Sequence, residues 1–317
     1  MNLLRSFAAP LALIAIGLVL TLTADMIPGW MRFVTQLALS VGLASLGVMI
    51  MMRSHLVSFG QGLYYGVGAY TAALAGRYWG VQDAFLVVGL GILAAVAMAA
   101  VVGLIISRYR EIFFAMLTLA LSMIAYGVVL KMSVLGGSDG ISVGAVTFAG
   151  YRPSGSAIQL SRFVFCCWIT IAVAVLIHFY LRSGLGRLAD AVRDNEVRLE
   201  YLGLSVRRIV YLEYLLAAAC AGAGGVLAAI STRHVNPELV YWTMSGEFVF
   251  AAILGGTANV FAPLIGALFL EFLRSFAAEN MPHAWQLILG SMMLVIIMFL
   301  PRGLTSIVGK LRGKAVP

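Results

Sequence analysis

Apolar runs near the length of a membrane-spanning helix recur from one end of this chain to the other, and they limit what it can fold into. They fall at roughly 8–27, 33–52, 61–76, 84–106, 112–133, 163–182, 209–231, 247–277 and 285–300. An α-helix needs about 20 mostly apolar residues to cross hydrocarbon. A transmembrane β-barrel shows short alternating segments instead. Only 11% of the 317 residues are charged, against about 25% in soluble proteins. That is too little polar surface to coat a water-soluble globule. The chain reads as an all-α polytopic membrane protein, one transmembrane domain over 1–317. The first run follows Arg5 without a clean small-residue cleavage site, so it reads as a retained span and not a signal peptide.

Two runs are irregular. Residues 61–76 are short and glycine-rich. Residues 247–277 are too long for one span and are broken by GGTANVFAP, where Gly255, Gly256, Asn259 and Pro263 are turn formers. This predicts a half-helix in, a turn at depth and a half-helix back out. The total is then about eight spanning helices plus a re-entrant broken-helix hairpin. With the N-terminus inside, that topology puts 14 basic residues in cytoplasmic segments and 7 outside, whereas one ordinary crossing gives 11 against 10. The positive-inside bias favours the hairpin and places both termini in the cytoplasm. Glycine-interrupted segments in corresponding places of two halves point to a transporter made of two weak inverted repeats. The same glycines, with Gly222, Gly224 and Gly225, also suit close helix packing, and both readings stay open.

The net charge of +8 fits basic cytoplasmic loops. Cys166, Cys167 and Cys220 sit inside apolar runs without metal-type spacing, so neither a disulfide nor a metal site is expected. Charge gathers in one place: Arg187, Asp190, Arg193, Asp194, Glu196, Arg198, Glu200, Arg207 and Arg208 lie within 186–210. Leu188, Val192, Asn195, Leu199 and Leu202 are spaced as one stripe of a helix over 186–202. Gly203 is its stop, and Asp194 and Arg198 are an i,i+4 pair. Val197 and Tyr201 point away from the stripe, with Arg187, Asp190, Arg193 and Asp194 around them. An apolar patch with a charged rim is the pattern of a docking knob for a soluble partner; a plain solvated face is the alternative.

Three stretches carry a family resemblance. SFGQGLYYGVGAYTAAL (58–74), GRLADAVRDNEVRLEYLGLSV (186–206) and ILGGTANVFAPLIGALFLEFL (253–273) resemble, in order and spacing, the LivM-type permease subunits of branched-chain amino-acid ABC importers. Phe59, Tyr201 and Thr257-Ala258-Asn259 depart from that pattern. The resemblance implies that the 183–208 loop holds a coupling helix seated in a groove of an ATPase subunit. Its contact residues would be Arg187, Asp190, Arg193, Asp194, Val197, Arg198, Glu200, Tyr201 and Gly203. It implies a path or gate at Ser58, Gly60, Gly66, Gly68, Tyr70, Glu247, Gly255, Gly256 and Asn259, and an outer-mouth role for Asp139, which a bare turn explains equally well. The implied partners are a LivH-type permease subunit, two cytoplasmic ATPase subunits and an external substrate-binding protein. ATP and magnesium would sit on the ATPases, leaving no cofactor on this chain.

The chain has no G-x-x-x-x-G-K-[ST] and no convergent catalytic set, so a membrane enzyme is disfavoured. An ion-coupled secondary transporter would want carboxylates at mid-span. Glu213, about one turn into its run, is expected to reach water at the interface; the alternative is a part in the mechanical link from the coupling helix. Glu247 is expected to cap the first half-helix, and Glu271 to pair with Arg274. The basic tail, residues 301–317 with Arg302, Lys310, Arg312 and Lys314, is expected to meet anionic lipid.

Overall fold

Hydrocarbon offers the backbone no hydrogen-bond partner, so each apolar run closes its bonds within itself as a helix. The computed structural model describes residues 2–155, 157–281, 284–299 and 303–305. The basic tail therefore lies outside the described residues except for Gly303–Thr305.

The chain forms α1 (Asn2–Thr23), α2 (Gly29–Arg53), α3 (Gln61–Tyr78), α4 (Ala84–Ile106), α5 (Glu111–Lys131) and α6 (Ala157–Arg182). It continues with α7 (Gly184–Asp194), α8 (Glu196–Tyr201), α9 (Val206–Thr232), α10 (Trp242–Gly255), α11 (Phe261–Asn280) and α12 (Trp285–Phe299). A short antiparallel pair, β1 (Ile141–Ser142) with β2 (His234–Val235), ties the α5–α6 and α9–α10 connections together. By length and composition, α2, α4, α5, α6, α9 and α11 can each cross a membrane. Shorter apolar helices lie at Ala8–Thr23, Trp242–Gly255 and Gln286–Ile296. The 18-residue α3, rich in glycine and tyrosine, is not among the six. The chain is a multi-pass helical membrane protein.

The centre of the bundle is α2 with α9, whose most apolar windows are 89% and 78% buried, while α4 and α5 lie outside at 28% and 17%. Small residues allow the close approach. Gly47 faces the Ala217 backbone, and Gly224 lies against Ser40 and the Tyr65 ring. Gly225 lies against the Tyr65 backbone of α3, and Gly222 between α3 and α4. For this cluster, close packing is the reading the structure supports.

The break in 247–277 is present. Gly256, at φ 97°, ends α10, and the Asn259 carboxamide accepts from the backbone N–H groups of Phe261 and Ala262 to start α11. The expected second half-helix is corrected: α11 has 20 residues and is long enough to cross on its own. Its length was hidden because the apolar run continues past the break without a polar stop. Leu304 and Thr305 bond to Leu254 and Gly255, so the α10–α11 turn lies level with the far end of α12.

Candidate functional site

The charged loop folds as two helices where one was expected. Ser183 opens α7 by accepting from the Gly186 N–H at 3.2 Å. Gly186 presses on the backbone of Tyr180 and Leu181, and Ala189 and Val192 continue the buried face. Asn195 then leaves the helix at φ −167°, ψ 103°, and its side chain accepts from the Arg198 N–H at 2.9 Å. A short amide that bonds its own backbone competes with helix continuation, and this one caps α8. Of the expected stripe, Val192 and Leu199 are buried and Leu188 half-buried, while Asn195 and Leu202 are exposed. Gly203, at φ 80°, closes α8 as expected.

Two ion pairs clamp this loop to the bundle, one forked through two guanidinium nitrogens and one through a single Nε–H shared by both carboxylate oxygens. Arg53, at the end of α2, donates to Asp190 of α7 at 3.1 and 2.6 Å. Arg110, just before α5, donates to both oxygens of Glu196 of α8 at 2.9 and 3.1 Å. Asp190 is thus corrected from the outward rim to an inward tether. Asp194 and Arg198 form no ion pair among the described residues, because the turn at Asn195 separates them. Behind the first clamp, the Ser54 hydroxyl donates to Glu213 at 2.6 Å. Glu213 is fully buried and does not reach water as expected. Sequence reading missed Arg53, Ser54, Arg110 and the inward role of Glu196, since their partners lie 86 to 159 residues away.

On the outward side Val197 and Tyr201 are exposed as the spacing predicts, while Asp190 leaves the expected rim. Val197 is 60% and Tyr201 88% exposed, and Leu202 joins them at 71%. Arg187, Arg193, Asp194, Arg198 and Glu200 are exposed around them.

The expected path residues fall into separate places. Ser58 is buried and accepts from the Gly60 N–H at 3.3 Å. The Phe59 N–H donates to Thr118 at 3.1 Å, and Gly60 lies against Thr118. The Gly62 N–H donates to Ser245 of α10 at 2.8 Å. Gly66 packs on Val240, whose carbonyl accepts from Ser122 of α5 at 2.6 Å. Ser58, Gly60 and Gly66 therefore meet where two stretches outside the α-helices, 54–60 and 233–241 (which holds β2 and a turn of 3-10 helix, Pro237–Val240), fold in against α5. Thr118 lies seven residues into α5, roughly 10 Å along its axis at 1.5 Å per residue. Thr118, Ser122 and Ser245 were not anticipated; each is an ordinary small polar residue within an apolar run.

Gly68 instead packs on the Gly222 backbone, and Tyr70 is buried two residues further along α3. Asp139 is exposed at the β1–β2 end, where it accepts from Ser138 at 3.0 Å. Gly140 beside it, at φ 74°, presses on the backbone of β2. Gly255 lies against the Ala262 backbone and, with Gly256 and Asn259, builds the α10–α11 turn. Glu247 is not a cap: α10 begins at Trp242, and Glu247 pairs across the hairpin with Arg274. Arg274 also holds Glu271 at 3.3 Å, as expected. Cys166, Cys167 and Cys220 are free and buried. Among the described residues, no group of three or more His, Cys, Asp or Glu is placed to hold a metal ion.

A family model described as branched-chain amino acid transport system permease component matches residues 30–298. The high-affinity branched-chain amino acid transport system permease protein LivM of Escherichia coli K12 is 30% identical over 277 residues, covering 79% of this chain and 64% of LivM. LivH of Salmonella typhimurium is 24% identical over 265 residues, covering 78% of this chain and 85% of LivH. The ribose import permease protein RbsC of Escherichia coli K12 is 27% identical over 241 residues, 69% of this chain and 70% of RbsC. The chain thus spans less than two thirds of the LivM length. No solved structure matches it.

Proposed function

We propose, because this chain belongs to the branched-chain amino acid transport permease family, that it is one membrane subunit of an ATP-binding-cassette importer. Its cargo is a branched-chain amino acid or a related small amide or carboxylate, moved inward. The observation that carries the reading is the α7–α8 loop: it turns Val197 and Tyr201 outward within a charged rim, and two ion pairs fix its other face to the bundle. A rigidly mounted apolar knob suits a soluble partner that must push on the membrane domain.

In this reading the partner is one of two cytoplasmic ATPase subunits, which hold the ATP and magnesium. A LivH-type permease subunit completes the membrane part, and an external binding protein delivers the cargo. The protein resides in the inner membrane with both termini in the cytoplasm, as a single domain over 1–317. The meeting point of 54–60 and 233–241 is the gate. The pattern of α2, broken stretch and α3 against α9, broken stretch and α10 supports two inverted repeats.

A second reading has one observation in its favour. Glu247, Arg274 and Glu271 form an ion cluster within apolar helices, as an ion-coupled transporter requires. Vesicles carrying the purified complex separate the two. Uptake is expected to need internal ATP and to vanish when residues 184–203 are deleted, with membrane insertion intact. Uptake that survives without the ATPase and collapses with the proton gradient would establish the second reading instead.

A further inference from the structure

Two residues other than glycine on the α7–α8 side of the bundle hold left-handed backbone: His55 at φ 58° and Glu111 at φ 49°. Such conformations are uncommon outside glycine, and they persist only where the surroundings enforce them. Each follows one of the two clamps. His55 comes two residues after Arg53, with Ser54 between them bonded to Glu213. Glu111 comes directly after Arg110, whose guanidinium also donates to the Ser107 and Tyr109 carbonyls at 2.8 and 2.9 Å. Both bends border one open cavity of about 260 Å³, lined among others by Ser54, His55, Arg110, Glu111, Val192 and Glu196.

Two chains of contact leave these bends and meet again. From His55 the backbone runs through Leu56 and Val57 to Ser58, Phe59 and Gly60. From Glu111, α5 runs two turns to Thr118. They join where the Phe59 N–H donates to Thr118 and Gly60 lies against it. We infer that Arg53–Asp190 and Arg110–Glu196 are the two positioning pairs through which α7 and α8 turn the His55 and Glu111 bends and so part or close the Phe59–Thr118 contact. This rests on the importer reading and specifies how that importer transmits force.

The magnitudes favour this role over a structural one. Partly exposed pairs add little to stability, and these side chains are 18% to 49% exposed. The forked Arg53–Asp190 contact instead fixes orientation, and Arg110 is oriented by its bonds to the Ser107 and Tyr109 carbonyls, as a transmission joint requires. Losing either pair should therefore leave the fold intact while disconnecting motion.

The experiment uses the full complex in vesicles and reads cargo taken up per ATP hydrolysed. The variants are Arg110→Glu, Glu196→Arg and their combination, and likewise Arg53→Asp, Asp190→Arg and their combination. The single variants are expected to retain the ATPase on purification and to lose about tenfold or more of the ratio, the usual size of an intersite coupling. Each combination should recover most of it, because the charges pair again. Single variants that keep the parental ratio, or combinations as defective as their singles, overturn the inference. Should a single variant fail to assemble, His55→Gly and Glu111→Gly decide the matter, since they keep all four charges and relax the bends. A ratio changed by about threefold or more supports transmission through the bends; an unchanged ratio refutes it. ATP-independent uptake by the parent complex would instead sink the importer reading itself.

Discussion

Glu213 is a carboxylate without access to water, two turns from the start of α9, and Ser54 is its hydrogen-bond donor. A buried charge must be compensated by neighbours, and Ser54 also caps α2 beside the Arg53 clamp. Ser54→Ala is expected to cost about 1–3 kcal/mol, the penalty of leaving a buried acceptor unsatisfied. It should show as a lower melting temperature of the detergent-solubilised protein; Ser54→Thr, which keeps the hydroxyl, should lose much less. The sequence places Glu213 near a span end and so suggests water. Only packing reveals that α2 closes over it. Tyr201 is the opposite case, because its outward position follows from helical spacing alone. Asp190 lies between the two: spacing puts it on the rim, and Arg53, distant in sequence, turns it inward.

Among the elements, α3 and α9 cross so closely that glycine is required on both. A Cβ on Gly225 would overlap the Tyr65 carbonyl, and one on Gly68 would overlap Gly222. Gly225→Ala is expected to destabilise by about 1–3 kcal/mol, as overpacking does. Gly89→Ala on α4 has open space around it and should be neutral or slightly stabilising, since alanine is the better helix former. Thermal unfolding of the two variants side by side tests this. Most helices were legible because apolar runs and turn residues mark their ends. Two were misjudged. The α7–α8 break was missed because a lone Asn195 fits a helical stripe as readily as it caps a helix. The full length of α11 was not legible because Pro263 reads as part of the turn, whereas it lies in the first turn of the helix, and the polar end Glu279–Asn280 lies past the apolar run.

At the scale of the molecule, the protein has a mounted and an open face. One surface of α7–α8 is clamped to α2 and to the α4–α5 loop, and the other leaves Val197, Tyr201 and Leu202 exposed. The helical membrane architecture and the exposure of Val197 and Tyr201 on the charged loop could be read from hydropathy and charge. The meeting point of 54–60 and 233–241 could not, because Thr118, Ser122 and Ser245 gain meaning only when those stretches fold against them. The most direct test of the account is a crosslink. Cys166, Cys167 and Cys220 are replaced by alanine, Tyr201→Cys is introduced, and ATPase subunits with single cysteines along their surface groove are coexpressed. The account predicts a specific disulfide at one groove position whose yield changes when ATP is added. An intact complex that forms no crosslink from Tyr201→Cys, or from Val197→Cys, would contradict it.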